Sequence, residues 1–80
     1  MSRDIDNRLV GVKIACLRRT KGYTQAELAE KVNISLSYMA KIETAFVSNR
    51  VSVDVLNKIA YELGVSVDDL IDSDKRIQIV

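Results

Sequence analysis

Apolar positions along this chain recur at helical spacing. Leu9, Val10, Ile14 and Leu17 form a first stripe, which predicts a helix over roughly Asn7–Lys21. Gly11 inside it costs about 1 kcal/mol relative to Ala and implies close contact with a neighbouring helix. Gly22 is well placed as its C-terminal cap, with Arg18, Arg19 and Lys21 favourable near the negative end of the helix dipole. A second stripe, Leu28, Ala29 and Val32, follows Thr24, an N-cap whose capping box is closed by Glu27. Asn33 tolerates the left-handed backbone of a sharp turn and ends that helix. Ile34 then returns to the core, Ser35 caps a third helix, and Met39 and Ile42 are its buried stripe. Ser52 caps a fourth helix, with Leu56, Ile59, Ala60 and Leu63 on one face and Gly64 at its end. Ser66 and Asp69 make a second capping box, for a short fifth helix holding Val67, Leu70 and Ile71. In the polar connection from Thr44 to Val51, Phe46 and Val47 are apolar, so at least one is expected to fold back onto the core. The expectation is an all-α domain of five helices over residues 1–73. Residues 74–80 stand outside it.

The stretch from Thr24 to Glu43, TQAELAEKVNISLSYMAKIE, reads as two short helices pinned around a tight turn, the arrangement that places a helix in the major groove of DNA. Within it Gln25-Ala26-Glu27-Leu28-Ala29, followed by Ile34-Ser35 and Ile42-Glu43, resembles the helix-turn-helix family of phage repressors and Cro, the XRE group. The similarity extends from about Gly11 to Leu70 and departs at Ala45, where a Gly is common. It implies a five-helix lambda-repressor-like DNA-binding domain. The activity it implies is sequence-specific transcriptional regulation, as a repressor or controller, by a homodimer on a palindromic operator in double-stranded DNA. With little beyond the binding domain, the chain also looks like the small regulators of phages and of restriction–modification systems.

The resemblance carries roles onto particular residues. Gln25 stands where the family clamps a backbone phosphate, at a helix N-terminus whose amide groups also favour an anion. Thr24, Ser35, Thr44, Asn49 and Arg50 are further phosphate candidates, with Lys13 and Arg19 weaker ones. Leu36, Ser37 and Lys41, with Tyr38 beside them, occupy the family's base-reading positions. Lys41 can donate to guanine, Ser37 can pair with several bases, and Leu36 can pack on a thymine methyl. Arg18 and Glu43 match the positions where helices 1 and 3 join by a partly buried ion pair.

Charge supports a polyanionic partner by its distribution and not by its sum. The net charge is +1, yet residues 1–50 hold nine Lys/Arg against five Asp/Glu, while residues 51–80 hold three against six. A basic front and acidic back would orient the domain on DNA. There is no His, and Cys16 is the single cysteine, which excludes an internal disulfide and the usual zinc site within one chain. Without clustered carboxylates as well, no acid–base or nucleophilic constellation can be argued, and neither an enzyme nor a cofactor is expected. No apolar run approaches the roughly 20 residues of a membrane span, and the charged start MSRDIDNRLV lacks a signal-peptide core, so a cytoplasmic location is expected.

Two rival readings use the same fold. An antitoxin would bind DNA and neutralise a partner protein through the acidic, apolar C-terminal third. A protein-interaction module would have lost DNA binding altogether. The tail Lys75–Val80 alternates like a strand and is a candidate dimerisation strand, since three large apolar residues at its end call for burial.

Overall fold

The computed structural model describes residues 7–45 and 51–71. The expectations placed on Phe46, Val47, Asn49, Arg50 and the tail 74–80 lie outside the described residues. Five helices follow in order: α1 (Asn7–Thr20), α2 (Gln25–Lys31), α3 (Leu36–Ala45), α4 (Val53–Leu63) and α5 (Val67–Ile71). The described residues contain no strand.

Local chemistry fixes where each helix begins and ends. At α2 the Thr24 hydroxyl accepts the Glu27 backbone N–H at 3.0 Å, and the Glu27 carboxylate accepts that of Thr24 at 2.8 Å. Two otherwise orphaned donors are thereby satisfied. The Thr24 backbone N–H, and after it the Thr24 hydroxyl, hold the Glu27 carboxyl below the ordinary glutamate range. The reciprocal pair recurs at α5 between Ser66 and Asp69, both bonds at 3.1 Å. Ser52 caps α4 by accepting from Val55 N–H at 3.1 Å. Between α2 and α3 the chain reverses at Asn33, whose φ of 61° makes it the one described non-glycine residue in the left-handed region. That conformation is costly for most side chains and mild for Asn, whose short polar group tolerates it. Helix α1 stops at Thr20, one residue short of expectation, and Lys21 joins a turn that Gly22 completes at φ 83°.

Helix α1 is the hub of the packing and makes its most extensive contact with α3. Val10, Ile14 and Leu17 meet Leu28, Ala29 and Val32 of the α2 region, Met39 and Ile42 of α3, and Leu56, Ile59, Ala60 and Leu63 of α4 in one continuous core that Leu70 closes. Each of the large side chains contributes about 1.5–3 kcal/mol by leaving water. Gly11 explains how α1 and α3 come so near. A Cβ there would lie 2.5 Å from the carbonyl oxygen of Glu43 and 2.9 Å from that of Ile42, so the two backbones touch and only hydrogen fits between them.

Lys13 corrects a sequence expectation. It is no solvated surface cation: only 6% of it is exposed, and its Nζ donates to the carbonyl oxygen of Asp69, within α5, at 3.3 Å. Position accounts for this, because residue 13 falls between Val10 and Leu17 on the inward face, where a long apolar stem packs well. It cannot serve as a phosphate contact from there.

Candidate nucleic-acid interface

Ser35 builds the start of α3: its hydroxyl accepts the Tyr38 N–H at 3.0 Å and its carbonyl the Met39 N–H at 3.0 Å. With Met39 and Ile42 turned into the core, helical periodicity sends Leu36, Ser37 and Lys41 outward, and all three are exposed. Leu36, at the first position of the helix, is 51% exposed. Their side chains make no hydrogen bond or ion pair within the described residues. Tyr38 differs. It is half-buried and packs against the core, so its ring belongs as much to the fold as to the outward face.

A charged cluster ties three helices and the α1–α2 connection together. Arg18, at the end of α1, donates from Nε to Glu43 Oε2 at 2.7 Å and from Nη2 to Oε1 at 3.1 Å. This is the two-pronged geometry a guanidinium offers a carboxylate. Its remaining Nη1 donates to the carbonyl of Tyr23 at 2.8 Å, which fixes the α1–α2 connection. Both charged residues are buried in the fold. Gln25, at the first position of α2, then donates from Nε2 to Glu43 Oε1 at 3.0 Å. The pairing of Arg18 with Glu43 was expected from the resemblance. That of Gln25 with Glu43 was not, because residues 18 apart in sequence carry no local signal of contact.

The remaining phosphate candidates divide by what their donors already do. Thr24 and Ser35 use their oxygens as helix caps; the Ser35 hydroxyl keeps its hydrogen for an outside acceptor, while that of Thr24 also serves the Glu27 carboxylate. Thr44 is spent: its hydroxyl donates to the Ala40 carbonyl at 2.8 Å. Arg19, Lys21, Lys31 and Lys41 are exposed cations of the first three helices and the turns between them. With Lys13 and Arg18 turned inward, the basic front is weaker at the surface than the sequence count implies. Among the described residues no cluster of three His, Cys, Asp or Glu could hold a metal ion. No described helix is long and apolar enough to cross a membrane.

These features define a class, and comparison with known proteins agrees with it. A family model described as helix-turn-helix matches residues 15–70, and the chain belongs to that family, in its XRE-type, lambda-repressor-like form. The transcriptional regulator SinR of Bacillus subtilis is 39% identical over 64 residues, which are 80% of this chain and 57% of SinR. The immunity repressor of Bacillus phage phi105 is 35% identical over 69 residues, 86% of this chain and 46% of that protein. This chain therefore spans about half the length of the curated relatives it matches. A crystal structure of SinR, described as a master regulator for biofilm formation, in complex with DNA superposes with a TM-score of 0.69 at 38% identity, covering 76% of this chain and 95% of that one.

Proposed function

We propose that this chain is a transcriptional regulator that binds double-stranded DNA sequence-specifically, with α3 in the major groove, and acts as a homodimer on a palindromic operator. The observation that carries the reading is the outward face of α3. Leu36, Ser37 and Lys41 stand unpaired on a helix held rigidly by its other side, which is the form a base-reading surface takes. Lys41 supplies a donor for guanine and Leu36 an apolar contact for a thymine methyl. Gln25 and Ser35 supply neutral donors to phosphates on either side of that helix. That SinR, a relative with the same fold, crystallises in complex with DNA supports a DNA-binding reading. Affinity then rests on the backbone and falls with salt, while preference rests on α3.

Selection of bound duplexes from a random DNA pool tests the reading. Recovery of a two-fold symmetric sequence with half-sites one helical turn apart is the expected result. Absence of any enriched, salt-sensitive duplex would overturn it.

A further inference from the structure

The Arg18–Glu43 pair has a task beyond holding α1 to α3. We infer that it positions Gln25 for the phosphate backbone, so that two buried charges set the grip on DNA without touching it. The inference rests on the DNA-binding reading and adds to it a role for residues behind the interface.

The chemistry of the carboxylate carries the argument. An ionised Glu43 can only accept, so the Gln25 amide must face it with nitrogen, and the usual ambiguity between amide nitrogen and oxygen disappears. One Nε2 hydrogen is thereby directed inward at 3.0 Å. The second has no partner among the described residues, and Gln25 is only half-buried, so that hydrogen is available to an acceptor outside. A free glutamine would have to give up its rotamers on meeting a phosphate; this one is already immobilised. Arg18 completes the device in two ways. Its two bonds hold the Glu43 carboxylate in one orientation, and its charge offsets a negative group that would otherwise repel a phosphate nearby. Arg18 and Glu43 are positioning residues, then, and Gln25 is the group that touches the ligand.

A double-mutant cycle on affinity for a non-specific duplex separates this from a purely structural pair. Gln25→Ala, Glu43→Gln and the double variant are measured as full-length protein, at a temperature where circular dichroism shows each folded. Gln25→Ala is expected to weaken binding roughly tenfold, the scale of one hydrogen bond to a charged group. Glu43→Gln is expected to change affinity by a different factor when Gln25 is present than when it is alanine, the latter change being the effect of charge alone. Equal effects of Glu43→Gln in both backgrounds would mean a field or stability effect and would overturn the inference while leaving DNA binding intact. Failure of the wild-type protein to bind any duplex would sink both. Should Glu43→Gln not fold, the Gln25 side-chain amide resonances decide the matter in the wild type. One proton is expected to be protected from exchange before DNA is added, and the other to shift on binding. Two equivalent, fast-exchanging protons would overturn the inference.

Discussion

The two sides of α3 are built to opposite rules. Its inward side is saturated: Met39 and Ile42 are fully packed, the Glu43 carboxylate accepts three hydrogen bonds, and the helix backbone lies against Gly11. Its outward side offers Leu36, Ser37 and Lys41 to solvent with no partner inside the described structure. One helix thus separates two kinds of information. Inward residues specify where the helix sits, and on the proposed function outward residues would specify what it reads. Substitutions should divide accordingly, the first kind moving stability and the second moving recognition.

The sharpest break in that division comes at the buried pair. Arg18→Ala or Glu43→Ala strands a buried charge and should cost about 3–5 kcal/mol in urea unfolding. The double variant should cost less than the sum, and additive losses would show that the pair is not coupled. Gly11→Ala comes next. Its methyl group must displace the Glu43 carbonyl, so a loss of about 1–3 kcal/mol is expected in the same measurement, against the gain in helix propensity that Ala normally brings. Lys41→Ala reverses the pattern. Stability should stay within about 0.5 kcal/mol of the parent, while binding loses about 1–3 kcal/mol at a single base pair of the selected operator. A uniform loss across all duplexes would place Lys41 on a phosphate instead.

The smallest effect belongs to the cap of α2. The folded protein holds the Glu27 carboxyl below its ordinary value of 4.5, chiefly through the Thr24 backbone N–H and then its hydroxyl. A depressed folded value contributes stability that is complete above the unfolded value and is lost as pH falls through the folded one. Glu27→Gln should therefore be the less stable protein near neutral pH. Its thermal midpoint should converge on that of the wild type as pH drops below 4.5. A constant gap across that range would assign the cap's contribution to hydrogen bonding alone.

Much of the fold is legible in the sequence, because its determinants are local. Thr24 with Glu27, Ser66 with Asp69, Ser52 and Gly64 each announce a helix end through neighbours at most four residues away. The apolar stripes place the core, down to Leu70 in a five-residue helix. Tertiary context decided what remained. Lys13 shares its helix face with Val10 and Ile14, and that spacing was the available sign of burial, yet a charged residue type argued the other way. Tyr38 sits among outward positions and still turns its ring to the core. The bond from Gln25 to Glu43 links residues whose proximity exists only after α1, α2 and α3 have packed.

The contact at Gly11 has a mechanical consequence. With a carbonyl resting on a glycine, and no side chain between the two backbones at that point, α3 has little room to tilt toward α1 there. Such a contact favours movement of α1 and α3 together. If the chain binds DNA as proposed, a duplex whose groove does not match this shape would itself have to adjust, by bending or twisting of the intervening base pairs. Its cost would depend on how pliable those steps are, so on that reading sequences that no side chain touches would still enter the choice of operator.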